Sequence, residues 1–186
     1  MARFYKLIII FLIFNCATSS KVDKNFESEK FLLNGPLWIN LDLKEDNEYI
    51  FFVEKYFDND KFSGFKKAKE NIVKRITENI RMRVERNYIE RVENMERANR
   101  KIGFEIKNEF CEKVIEGLKF KNLIPDDIWS EKIVSNNITN YECYVYKAIS
   151  KKFIREKELS AIELLKNRYT DENRLRFLTI LRGSYR

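Results

Sequence analysis

Histidine is absent from this chain of 186 residues. That removes the commonest general base near neutral pH and the commonest transition-metal ligand, so Ser-His and Cys-His nucleophile pairs cannot form within the chain. Cysteine is scarce. There are three, Cys16, Cys111 and Cys143, with no CxxC pair, and the chain has no EF-hand loop. No metal site and no cofactor site is expected. Long apolar runs are lacking too. Residues 7–14 (LIIIFLIF) are eight continuous apolar residues, well short of the roughly 20 that a membrane-spanning helix needs.

What is present begins with that short run. Arg3 and Lys6 precede it and Asn15 and Cys16 close it, the order of a secretory signal. The stretch Leu12-Ile13-Phe14-Asn15-Cys16 resembles a bacterial lipobox in its relaxed form, with Asn15 where a small residue is usual. Residues 1–15 are therefore expected to be a lipoprotein signal peptide, and Cys16 to become the first residue, acylated on its sulfur and its new amino group. Each buried CH2 contributes about 0.8 kcal/mol, so several acyl chains hold a protein at a membrane where one does so marginally. The other reading of the same residues is a plain secretory signal or an uncleaved amino-terminal anchor.

Removing residues 1–15 takes Arg3 and Lys6 and no acid, leaving 34 basic and 29 acidic residues, a formal net charge of +5. Acids are interleaved with the bases almost everywhere after residue 40, which is the pattern of a solvated surface rather than of a nucleic-acid patch. No nucleic-acid partner is expected. Residues 16–34 are polar and nonperiodic and read as the lipidated Cys followed by a flexible tether. Ala17, in place of the Asp that retains some lipoproteins in the inner membrane, favours the outer membrane. Residues 35–186 suit a single domain.

Within that domain, Gly35-Pro36-Leu37-Trp38-Ile39 reads as an extended entry, with Trp38 making the first core contact. Residues 48–57 are rich in aromatic and β-branched types and predict a strand that runs into a turn at Asp58-Asn59-Asp60. From Ser63, a plausible N-cap, apolar residues recur at Phe65, Ala68, Ile72, Ile76, Ile80, Val84, Tyr88, Val92, Met95 and Ala98, one helical face. Unbroken to Arg100 that helix would be roughly 57 Å long at 1.5 Å per residue, so a bend or break is expected between Arg86 and Gly103. A second helix is predicted from Phe104 through Ile115, with Gly117 as its stop. Leu118 to Phe120 and Ile124 to Ile133 read as extended, Asn136-Asn137 as a turn, and residues 140–149 as a strand with Tyr141, Cys143 and Val145 on one face. Leu159, Ile162, Leu165 and Tyr169 mark a further helix, and Thr170-Asp171-Glu172 caps a last one bearing Leu175, Leu178 and Leu181. The fold class is α+β, a small antiparallel sheet packed against a long helix and further helices. Cys111 and Cys143 both sit on apolar patterns, so two core thiols are expected, with a disulfide as the alternative.

Several of these features together resemble a known family. The opening Pro36-Leu37-Trp38, the strand at Tyr49 to Val53, the helix from Phe65 to Val84, Ile128-Trp129 and Tyr141-Glu142-Cys143-Tyr144-Val145-Tyr146 are similar to the Lpp-twenty family of lipoproteins, which also includes the amino-terminal domain of a flagellar-motor H-ring protein. The resemblance covers Gly35 to Ile149. The chain departs from it in having no glycine in Glu54-Lys55-Tyr56-Phe57 and less alanine in the long helix. It implies an envelope lipoprotein with a binding or assembly role and offers no catalytic set.

The expected function is accordingly that of a membrane-anchored lipoprotein, not an enzyme, which binds an envelope protein or peptidoglycan, in the peptidoglycan-linked or flagellar machinery. A surface-exposed adhesin or antigen is the alternative, since the same anchor serves both. The candidate partner surface is Tyr144, Tyr146 and Trp129, whose rings could instead be core. Asp126-Asp127 and Glu156 with Glu158 are the carboxylate pairs that acid and base catalysis would need, but adjacent residues on a strand point to opposite faces. Arg81, Arg83, Arg86 and Arg91 read as a solvated helix face among glutamates. No residue specifies an oligomeric state.

Overall fold

The computed structural model describes residues 35–40, 44–119 and 123–185. The expected signal peptide, Cys16, the tether and Phe120 lie outside the described residues. Tyr49–Asp58 forms β1, Asp127–Ser135 β2 and Ile138–Ser150 β3. They make one antiparallel sheet in the order β1-β3-β2. Asn136 and Asn137 both take positive φ, 52° and 62°, and so close the β2–β3 hairpin in two residues. Asparagine tolerates that left-handed conformation and matches the twist of the flanking strands.

Among the described residues four helices follow the alternation of apolar and charged residues: α1 (Lys61–Glu93), α2 (Arg97–Leu118), α3 (Lys151–Arg168) and α4 (Glu172–Gly183). This is the expected α+β arrangement, and the expected break falls at Asn94 to Glu96. Three boundaries differ from the sequence reading. The N-cap of α1 is Asp60, whose carboxylate accepts from the Ser63 amide at 2.7 Å, so Ser63 is already helical. Helix α2 starts seven residues before Phe104 and runs through Gly117 and Leu118, which therefore neither stops it nor opens a strand. The chain leaves α2 at Lys119, in the left-handed region at φ 49°. Asp171 caps α4 as expected, accepting from the Arg174 amide at 2.8 Å.

The buried residues of α1 lie at Gly64, Ala68, Ile72, Ile76, Ile80, Val84, Tyr88 and Val92, a spacing of four. At 3.6 residues per turn each step overshoots by about 40°, so the stripe winds about 280° around the helix over its length. One helix thus serves two layers. Its first half lies on the sheet, where Gly64 approaches Cys143 and Asp58 and Arg75 donates to the Val53 carbonyl at 2.9 Å. Its second half lies against helices. The Tyr88 ring is 4.7 Å from that of Phe110, and Val92 meets Gly103 and, beyond it, Phe177. Each fully buried isoleucine on this stripe contributes about 1.5–3 kcal/mol.

Cys111 and Cys143 are buried free thiols, as expected for core residues. Burial pushes the Cys111 thiol up to about 11, which leaves it un-ionised and unreactive at neutral pH. The core is continuous from Ile50 and Phe52 through α1 to Phe177, Leu178 and Leu181 of α4.

Candidate binding surface

Strand alternation gives the sheet two unlike faces. Phe52 and Ile50 of β1 pair across register with Lys147 and Ile149 of β3, and with Val145 and Cys143 they face α1. The other face carries Tyr49, Phe51, Val53 and Lys55 of β1, Tyr144 and Tyr146 of β3, and Trp129 and Glu131 of β2. Among the described residues, the 3-10 turn Leu37–Asn40 is the element seated on it. Trp38 therefore packs on the far side of the sheet from the helical core. It stacks on Tyr146 with ring centroids 5.4 Å apart, and its indole N–H donates to Asp127 at 2.7 Å.

The three residues singled out in the sequence, Tyr144, Tyr146 and Trp129, come together on this face. Trp129 and Tyr144 are direct cross-strand partners with rings 5.4 Å apart. Tyr146 sits in a row with Phe51 at 6.4 Å and Trp38, and Phe51 stacks in turn on Tyr49. Tyr141 does not join them, because its position puts it on the helix side of β3. The residues that sequence reasoning missed are Phe51, Tyr49 and Trp38. The period-2 spacing of Tyr49 and Phe51 in β1 is visible, but the face they share with Tyr146 depends on the β1–β3 register, and Trp38 joins them from the turn Leu37–Asn40.

The face also carries charge. Glu131 and Glu142 are directly opposed across β2 and β3, a pairing of like charges that destabilises a sheet. Burial first, then the Glu142 charge, pushes the Glu131 carboxyl above its usual range. Lys55 offsets part of this, reaching Glu142 at 3.4 Å with its ammonium 5.9 Å from the Tyr144 ring. The Tyr144 hydroxyl donates to Glu142 at 2.7 Å, and burial raises its pKa. The result is a set of rings beside two carboxylates. Such a surface can stack flat groups and accept N–H donors, and it holds no nucleophile with a base.

The carboxylate pairs considered for catalysis are dispersed. Asp126 is taken up by Lys147 and the Ala148 amide, and Asp127 by Trp38. Glu156 is exposed while Glu158, on another side of α3, is buried. Of the four arginines read as one solvated face, Arg81 and Arg86 are exposed. Arg83 is held by Glu45, and Arg91 by the Ser184 carbonyl and the Tyr185 ring. Among the described residues no three His, Cys, Asp or Glu side chains gather as a metal site, and no helix is long and apolar enough to cross a membrane. The chain matches no protein-family model, no curated protein and no solved structure.

Proposed function

We propose that this chain is a lipid-anchored protein of the bacterial cell envelope, held at the outer membrane through Cys16, whose domain works by binding and not by catalysis. The observation that carries the binding role is the aromatic sheet face. On the side of the sheet away from the helices, Trp38 and Phe51 stack on Tyr146, and the half-buried Trp129 packs at a tilt on Tyr144, which is itself buried. Aromatic rings give large apolar contact with little loss of side-chain freedom, which suits a docking surface. The opposed Glu131 and Glu142 gain when a partner brings a cation or N–H donor between them. The partner expected from this chemistry is an envelope protein or peptidoglycan that offers amine or amide donors beside apolar surface. The anchor rests on the order of residues 1–16, and the family resemblance points to the same role.

Photo-cross-linking in cells tests the surface. A benzophenone amino acid in place of Trp129 is expected to trap envelope material, and the same group in place of Lys74, on the exposed side of α1, is expected to trap none. Equal trapping from both positions, or none from position 129, would remove the sheet face as the binding surface.

A further inference from the structure

A second site lies on the helical side. Arg83, Asn87 and Arg91 follow one another at four-residue steps on α1, and Lys151, Arg155 and Glu158 share one side of the first two turns of α3. These side chains, with Ser184 after α4, line a cleft of about 350 Å³. That is the small end of the ~300–1,000 Å³ typical of small-molecule sites.

The cations in the cleft are positioned before any ligand arrives. Arg83 is tied to Glu45. Lys151 donates to the Asp46 carbonyl at 2.6 Å and lies 3.7 Å from Glu45. Arg91 donates to the Ser184 carbonyl and lies 4.0 Å over the Tyr185 ring. A guanidinium has five N–H donors and an ammonium three, so these tethers fix each group and leave donors over. The Nε of Arg91 is buried without a hydrogen-bond partner among the described residues. Carbonyl tethers bring no full negative charge, so the charge of Arg91 is not neutralised by them.

Glu158 lines the same cleft. It is 4 % exposed, and its Oε1 has no hydrogen-bond partner among the described residues. The groups that face it are Arg91 from α1, Cys111 from α2, Arg155 from its own helix and the Tyr185 hydroxyl. Four cations, Arg83, Arg91, Lys151 and Arg155, thus line the cleft with one carboxylate, Glu158, while Glu45 pairs with Arg83 and lies near Lys151, and an amide from Asn87 adds a neutral donor.

We propose that this cleft binds a small soluble ligand through a phosphate monoester group, with Arg83, Arg91 and Lys151 as its charged contacts and Asn87 as a neutral one. Donors reach the cleft from two helices, Arg83, Asn87 and Arg91 of α1 and Lys151 of α3, and so from two sides. A tetrahedral dianion presents oxygens in several directions, whereas a planar carboxylate presents two in one plane. Glu158 sets the strength of binding. While ionised it repels the ligand, and once protonated it becomes a hydrogen-bond donor.

Calorimetric titration of the full-length protein in detergent tests this, with glycerol 3-phosphate as ligand and sulfate as a dianion of constant charge. Both are expected to bind saturably at one site per chain. Asn87→Asp adds a carboxylate to the cleft without removing any core contact, and it is expected to weaken both by about tenfold or more. Lys74→Glu, a larger change toward negative charge on the exposed side of α1, should leave them unchanged. Sulfate should bind more tightly near pH 6 than near pH 8, and Glu158→Gln should abolish that difference. Absence of saturable binding by the folded wild type, equal effects of Asn87→Asp and Lys74→Glu, or binding only to vesicles of phosphatidic acid and not to glycerol 3-phosphate would each overturn the proposal.

Discussion

Glu158→Gln is expected to stabilise the folded chain at pH 8 by about 2–3 kcal/mol and to be nearly neutral near pH 5. Glu158 is 4 % exposed, and burial pushes its carboxyl up to about 7 from an ordinary 4.5, with Arg91, Tyr185 and Arg155 opposing only part of that rise. The folded state therefore holds the Glu158 proton more tightly than the unfolded state does. Stability from this group is fully present below about pH 4.5 and is lost as pH rises through about 7, where folding must bury a carboxylate. Glutamine has the same shape and no charge, so it removes that loss. Urea unfolding across this range is expected to show the wild type weakening between the two values while the variant follows a flatter course. Parallel pH profiles would mean that Glu158 is solvated in the folded state.

The second large effect lies where α1 and α2 cross. Tyr88→Ala is expected to destabilise the domain by about 3–5 kcal/mol, a large share of the ~5–15 kcal/mol that holds most domains together. Tyr88 is fully buried, its ring lies 4.7 Å from Phe110, and its hydroxyl donates to the Gly103 carbonyl at 2.9 Å. The closeness of the crossing depends on Gly103. A Cβ there would lie 2.7 Å and 2.9 Å from the two methyls of Val92 and 3.1 Å from Phe177. Gly103→Ala is therefore expected to cost about 1–2 kcal/mol despite the roughly 1 kcal/mol that alanine gains over glycine within a helix. Val92→Ala should relieve the clash, so the double variant should lose less than the sum of the two. Gly117 gives the contrast. It is helical and its added Cβ would meet only Lys157 at an ordinary 3.5 Å, so Gly117→Ala should stabilise by about 0.5–1 kcal/mol. Thermal or denaturant unfolding of the series decides. Destabilisation by Gly117→Ala would return Gly117 to the role of helix terminator.

Local chemistry made much of this fold readable in the sequence. Alternation in β3, the Asn136-Asn137 turn and the Asp171 cap are each decided by neighbours a few residues away, and each lies where sequence reasoning put it. Ser63 reads as the cap of α1 because serine and aspartate cap equally well. The choice of Asp60 is decided by where β1 ends. Gly117 read as a stop because glycine commonly ends helices, yet α2 continues because Leu118 is buried beneath it. The apolar stripe of α1 read as one face. A strict step of four winds around the helix, and that winding allows one helix to lie on the sheet and on α2 in turn. The aromatic surface was half legible. Tyr144, Tyr146 and Trp129 could be named from the strand pattern, but Phe51 and Trp38 join them only through strand register and the turn at Leu37. The cleft was not legible at all. Arg83, Asn87 and Arg91 share a face by spacing, as do Lys151, Arg155 and Glu158, and nothing in the spacing says that the two faces meet.

The two proposals give the surfaces different tasks: on the proposed reading the sheet face meets a large partner, and the cleft on the helical side takes a small ligand. Both need the domain held at a membrane if they are to work in an envelope assembly. Metabolic labelling with a palmitate analogue tests that claim most directly, by comparing the wild type with Cys16→Ala. Label on the wild type that disappears in Cys16→Ala is the expected result. Equal labelling of the two, or none in either, would contradict the lipid anchor and with it the envelope role.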